Sequence, residues 1–354
     1  MNNLEIAHLD RFDLDTWLLP YWNGNITYHE SVMFIGEDGA PLLYAPEKIL
    51  SVRSFDLKNE YKDGVDYEVR DGKIFRLEGS AIPYFTWDQF YPAKAEDSVT
   101  GSAFKGTSRP FVFFAEGTYF HQRQVFVTYT HKENTELYVP QKGEKLYKFA
   151  EKLERGGEFN LVFFGDSITA GANASGRENT LPGTPLWAQM VAASFEKKYP
   201  KSKINYINTA VGGKDTTWGL SELEERVNAY SPDLVILGFG MNDGSRNEET
   251  FRDGAKALID GILAKNPDCE IATIATMLPH KETAYWGPQH LWEGVLTELV
   301  KEYSCVEVVP MTSVHSSLLT KKRYFDMTGN NVNHPNDFLI RVYAQTVLRR
   351  LGAE

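Results

Sequence analysis

Four short segments of this 354-residue chain carry side chains whose chemistry could combine. The first is Phe164-Gly165-Asp166-Ser167-Ile168-Thr169-Ala170-Gly171. A serine that directly follows an apolar run and is flanked by glycines belongs on a tight strand-to-helix turn. There its hydroxyl faces a crevice, and neighbouring backbone N–H groups can bind an oxyanion. The same residues could also make a plain turn with Ser167 as a helix cap. The second segment runs from Asn208 to Gly213, where paired glycines let the backbone approach a ligand and present an N–H. The third, Gly240-Met241-Asn242-Asp243, offers a side-chain amide as a further oxyanion donor. The fourth contains His334-Pro335-Asn336, ahead of a helix. A neutral imidazole there can take the Ser167 proton and return it to a leaving group. Taken singly, the serine and glycine segments read better as ordinary turns, the asparagine segment equally well as one, and His334 as a capping or surface histidine.

The elements that must position these residues come from two kinds of periodicity. Residues 1–140 read as a β-sandwich of short strands with frequent turns, of jelly-roll type. Ser31–Ile35 and Pro41–Tyr44 suggest a hairpin across Glu37-Asp38-Gly39, and Asp71-Gly72 suggests a second. Phe111–Phe114, Val125–Tyr129 and Glu136–Val139 read as further strands. From 141 to 354 the pattern changes. A helix is expected over 142–154, followed by apolar runs at Phe159–Phe164, Ile204–Asn208, Asp233–Leu237, Ile271–Ala275 and Val306–Val309. Between and after these runs the spacing predicts helices at 185–198, 219–230, 249–265, 288–303 and 336–351, the first capped by Thr184 with Pro185 at its start. Five βα repeats with near-continuous apolar strands imply a parallel sheet covered on both faces. Ligands bind beyond the C-terminal strand ends of such sheets, and three of the four segments fall there.

In that order and placement, the segments resemble the blocks of the SGNH hydrolases, also called GDSL esterases, over residues 159–354. The resemblance implies a flavodoxin-like three-layer α/β/α domain with a five-stranded parallel sheet, preceded by the β-sandwich. It also implies ester hydrolysis through an acyl-enzyme without metal or organic cofactor. Ser167 then matches the nucleophile and His334 the general base, with Ser167, Gly213 and Asn242 as the oxyanion hole. One position departs: the family usually places Asp three residues before the histidine, and this chain has Asn331. Asn331 or a backbone carbonyl could orient His334, Asp326 or Asp337 could substitute, or the site could be impaired. Asn331 is the reading preferred from the sequence. Asp166, Met277 and Trp286 are candidates for the substrate pocket.

Composition narrows the substrate. The net charge of −11 disfavours nucleic acid and anionic lipid. No run approaches the ~18 apolar residues of a membrane span. The N-terminal stretch Met1–Asp10 has no basic and apolar leader, and the two cysteines, Cys269 and Cys305, suit free thiols, so a cytoplasmic protein is expected. The arrangement resembles carbohydrate esterases that remove acetyl groups from oligosaccharides, in some cases with a Ser–His pair alone. The alternatives are a lipase or thioesterase for longer acyl chains and an inactive carbohydrate-binding protein. A homo-oligomer is compatible with all three.

Overall fold

The N-terminal part is built mostly from short strands, as its frequent turns predict. The computed structural model describes residues 13–132 and 136–354; His8 and Met1–Asp10 lie outside the described residues. The strands are β1 (Ile26–Ile35), β2 (Ala40–Pro41), β3 (Pro46–Ser54), β4 (Tyr67–Arg70), β5 (Lys73–Arg76), β6 (Tyr84–Phe85), β7 (Ala103–Lys105), β8 (Phe111–Phe113) and β9 (Gln124–His131). They form a four-stranded sheet in the order β3-β9-β1-β6, a three-stranded sheet β2-β5-β4 and a two-stranded ribbon β7-β8. Along β1, Val32 and Phe34 join one apolar core, while Met33 and Ile35 join an aromatic cluster with Phe85, Phe90, Phe113, Phe120 and Phe325. Alternate side chains thus serve opposite faces.

The Asp71-Gly72 hairpin forms as expected: both residues have positive φ (50° and 73°), and Arg70 pairs with Lys73. The hairpin expected from Ser31–Ile35 does not. β1 pairs with β9 and β6, and β2 pairs with β5. β1 is an inner strand of its sheet, and its in-plane partners β6 and β9 lie far off in sequence. Glu136–Val139 is not a strand either; the Tyr138 N–H donates to Ser317 Oγ instead.

The C-terminal part is a three-layer α/β/α unit. Its strands are β10 (Gly157–Gly165), β11 (Ser202–Asn208), β12 (Leu234–Gly238), β13 (Glu270–Ala275) and β14 (Val306–Pro310), all parallel in the order β11-β10-β12-β13-β14. Leu161, Phe163, Leu234 and Ile236 face the helices Trp187–Lys198 and Asp337–Leu351. Val162, Phe164, Val235 and Leu237 face the helices Glu248–Lys265 and Trp292–Leu299. The helix Met311–Leu318 was not expected. The expected helix at 142–154 is confined to Lys148–Arg155. Thr184 does not cap Trp187–Lys198; its hydroxyl donates to Asp337, and Leu186 is the residue preceding the helix.

Chain order reverses direction around β10, and such a reversal opens a crevice beyond the strand ends. The loop from Lys322 to Asn336 lies above it and is clamped by the N-terminal sheet. Met33 N–H donates to Asp326 Oδ1 at 2.9 Å, Gln124 Nε2 to Thr328 O at 2.8 Å, and Asn336 Nδ2 to Ser31 Oγ at 2.9 Å. Lys322 Nζ pairs with Glu30 at 2.6 Å, both fully buried. One apolar core contains Val32 and Tyr129 together with Leu339 and Tyr343. The N-terminal part therefore holds in place the loop that carries His334. Among the described residues no helix is long and apolar enough to cross a membrane, and both cysteines are free.

Candidate active site

Strand ends and tight turns bring three of the four segments to one crevice. β10 ends at Gly165, where a Cβ would lie 2.3 Å from Gly238 O, so only glycine permits the approach to β12. The chain then turns: Asp166 N–H donates to Gly238 O, and Ala170 N–H to Asp166 O. Ser167 stands at the head of this turn, 7% exposed. Gly213, at φ +75°, lies on the loop after β11 in the left-handed region that glycine accepts without strain. Among the described residues, no protein group accepts from the N–H of Ser167 or of Gly213. Asn242 follows β12. Its Oδ1 accepts from Tyr285 O–H at 2.7 Å and its Nδ2 donates to Lys214 O at 3.0 Å, which fixes the amide orientation and leaves one N–H unused.

The fourth segment closes the arrangement. His334 Nε2 lies 2.8 Å from Ser167 Oγ. The tautomer follows from the neighbours. Asn330 Oδ1 accepts the N–H groups of Val332, Asn333 and His334, so its Nδ2 faces Glu116 and Asn333, to each of which it donates at 3.0 Å. With both of its N–H groups used, Asn330 does not require His334 Nδ1 as an acceptor, although the two nitrogens are 3.0 Å apart. Asn173 Nδ2 donates to Gly117 O at 2.9 Å, turning Asn173 Oδ1 to His334 Nδ1 at 2.7 Å. Nδ1 thus carries the proton and donates to Asn173, while Nε2 presents its lone pair to the serine.

Asn331 is not the orienting residue. Its Nδ2 donates to Phe113 O at 2.9 Å, its N–H donates to Thr328 Oγ1, and its Oδ1 has no partner. The chain enters this position at φ +67°, which turns the side chain away from the imidazole. Nor do the alternative acids reach His334. Asp326 binds Met33 N–H and Arg323, and Asp337 binds Ser175 N–H and Thr184. Two groups that sequence reading missed lie there instead: Asn173 and, 3.4 Å from Nδ1, the carboxylate of Glu116. Neither belongs to a recognisable motif. The faint signals are an asparagine six residues past the serine and a Glu116-Gly117 turn after a strand.

Alanine at 331 is therefore expected to act on stability. It strands the buried Phe113 carbonyl, a loss of about 1–3 kcal/mol measurable by denaturant unfolding. Asn173→Ala deprives Nδ1–H of its acceptor and should lower kcat by roughly tenfold or more. A larger kcat loss for Asn331→Ala than for Asn173→Ala would contradict this assignment.

The crevice has a volume of about 530 Å³ and brings together Ser167, Gly213, Asn242 and His334 with Phe104, Phe114, Glu116, Arg177, Glu178, Tyr285 and Asn333. The three expected pocket residues are elsewhere. Met277 is fully buried, its N–H held by Tyr343 Oη, and Trp286 stacks on His290 at 5.4 Å. Asp166 points below the turn, where Oδ1 accepts from Ile168 N–H and Oδ2 has no partner. A strand-end residue next to the serine projects to the opposite side of the chain, into the sheet–helix layer.

Burial, with the nearby Asp243 carboxylate adding to it, raises the Asp166 carboxyl from 3.8 to about 7. The unfolded chain loses this proton near pH 4 and the folded chain near pH 7, so the folded state is progressively destabilised as pH rises between them. Asp166→Asn keeps the acceptor for Ile168 but does not ionise. Its stability relative to wild type should rise by about 3 kcal/mol from pH 5 to pH 8, read by urea unfolding at both. A constant difference would show that Asp166 does not titrate in this window.

Residues 163–338 match the model of the GDSL-like lipase/acylhydrolase family. A search of curated protein sequences gave no significant match. Among solved structures, the chain is similar to a two-domain esterase active on acetylated mannans, co-crystallised with mannopentaose: 21% identity, TM-score 0.48, covering 58% of this chain and 53% of that one. It is also similar to Axe2, an acetylxylan esterase from Geobacillus stearothermophilus (18%, 0.45, 56% and 96%), and to a GDSL-like lipase structure from Parabacteroides merdae (20%, 0.45, 56% and 98%). The match to the mannan esterase spans about half of that protein's length. At these identities and scores the likenesses carry no weight for substrate.

Proposed function

Because the chain belongs to the GDSL-like lipase/acylhydrolase family through residues 163–338, and is thereby a carboxylic ester hydrolase, we propose that Ser167 is its nucleophile and His334 its general base. The observation that carries this reading is the 2.8 Å approach of Ser167 Oγ to His334 Nε2 at the edge of a crevice lined by unused N–H donors. His334 takes the hydroxyl proton as Oγ attacks the ester carbonyl. The N–H groups of Ser167 and Gly213 and the spare N–H of Asn242 receive the tetrahedral oxyanion. The imidazolium then protonates the leaving alcohol. In the second half-reaction His334 takes a proton from water as the water attacks the acyl-serine, then returns it to Ser167 Oγ as the acid leaves. Every step uses side chains and backbone of this chain.

The substrate class this site suits best is an O-acetylated carbohydrate. Phe104, Phe114 and Tyr285 give the crevice apolar faces for sugar C–H groups, while Asn333, Glu116, Glu178 and Arg177 offer partners for hydroxyls. A chain of net charge −11 accepts a neutral glycan more readily than an anionic one.

The test is acetate release from acetylated oligosaccharides by wild type and Ser167→Ala, beside fluorophosphonate labelling. Release by wild type alone, with the label on Ser167, supports the reading; an unlabelled Ser167 removes the hydrolase mechanism. A p-nitrophenyl ester series separates acetyl from long-chain preference. Rates peaking at octanoate or longer would replace the acetyl esterase by a lipase-like enzyme.

A further inference from the structure

Resting on the Ser167–His334 reading, we propose that Glu116, from the N-terminal β-rich part, is the acidic positioning residue of His334 and replaces the carboxylate that position 331 lacks. Glu116 Oε2 lies 3.4 Å from His334 Nδ1, and Oε1 accepts from Asn330 Nδ2 at 3.0 Å. Asn330 in turn holds the backbone N–H of His334 itself. The carboxylate is therefore joined to the histidine both directly and through the loop that carries it.

The segment bearing Glu116 is gripped from two sides. Asn331 Nδ2 binds Phe113 O before it, and Asn173 Nδ2 binds Gly117 O after it, both at 2.9 Å. The asparagine at the family's acid position thus anchors the strand end from which the replacement acid projects. An aspartate at 331 would have no N–H to give to the Phe113 carbonyl, so the two arrangements are alternatives. Burial alone would raise the Glu116 carboxyl. The neighbouring His334 ring, with the amides of Asn330 and Asn173, brings it below its ordinary value, so it is anionic at neutral pH.

When His334 takes the Ser167 proton, the ring becomes a cation with Asn173 as the acceptor of Nδ1–H and Glu116 as the nearby negative charge. Glu116 takes no proton. Its side chain is 54% exposed, so water screens the attraction and the effect is moderate. The other charged or titratable groups lining the crevice are Arg177, Glu178 and Tyr285.

The test is Glu116→Gln, with Glu116→Ala as a second variant, assayed on p-nitrophenyl acetate with thermal unfolding measured alongside. We expect kcat to fall about tenfold with KM nearly unchanged. The acid limb of kcat/KM should move to lower pH, because removing a negative charge beside the ring disfavours its protonated form. Phosphonylation of Ser167 by a fluorophosphonate should slow in parallel. Unchanged kcat and acid limb would overturn the proposal, and so would a loss of kcat with an unmoved limb, which is the signature of a structural role only. A wild type in which Ser167 resists labelling sinks the hydrolase reading itself. Normal labelling in both proteins, with identical pH profiles, sinks only the role of Glu116.

Discussion

Replacing His334 by alanine should lower kcat on p-nitrophenyl acetate by a factor on the order of 10⁴ to 10⁶, and adding Ser167→Ala should cost almost nothing more. In the proposed mechanism the two side chains act as one unit. Without the Nε2 lone pair 2.8 Å away, the serine hydroxyl has no group to take its proton, and without the hydroxyl the imidazole has nothing to deprotonate. Removing either member therefore removes the same transition-state stabilisation, and the free energies do not add. The residual rate belongs to the N–H donors and to substrate binding alone. Single and double variants measured with the same substrate decide the point. Additive losses would mean that Ser167 and His334 serve separate steps and would remove the dyad from the mechanism.

The second large effect belongs to Asn242. Asn242→Ala should reduce kcat by about 10²–10³ with little change in KM, because the spare amide N–H meets charge only when the carbonyl oxygen becomes tetrahedral. Tyr285 sharpens the test. Its hydroxyl donates to Asn242 Oδ1 at 2.7 Å and holds the amide with Nδ2 toward the crevice. Tyr285→Phe removes that constraint without removing the donor, so its loss should lie in the same direction and be several-fold smaller. Steady-state kinetics on both variants check the order. A rise in KM at constant kcat would place Asn242 in ground-state binding, and a Tyr285→Phe loss exceeding that of Asn242→Ala would show that the tyrosine acts on substrate directly.

The contrast between legible and illegible parts of this site has a physical origin. Ser167, Gly213 and Asn242 could be read because each follows an apolar run. A parallel strand, whether central or a half-buried edge like β11, must end at the sheet rim, so local pattern alone places what comes next. His334 was legible through its proline and the helix that follows. Asp166, Met277 and Trp286 were misplaced because proximity along the chain does not determine which side of a turn a residue faces. The first hairpin failed for a related reason: β1 is buried on both faces and takes partners remote in sequence.

By itself, the sequence determined the α/β/α layering, the Asp71-Gly72 turn and the rim on which the serine, the glycine pair and the amide stand. All of these depend on periodicity and on contacts between near neighbours. Only the tertiary structure decided what orients the imidazole. Asn173 and Glu116 come from loops 161 and 218 residues before His334, respectively, and neither loop has a regular pattern. Their approach depends on packing of the β-rich part against the loop 322–336. A contact made across two folded surfaces leaves no period in the chain from which it could be read.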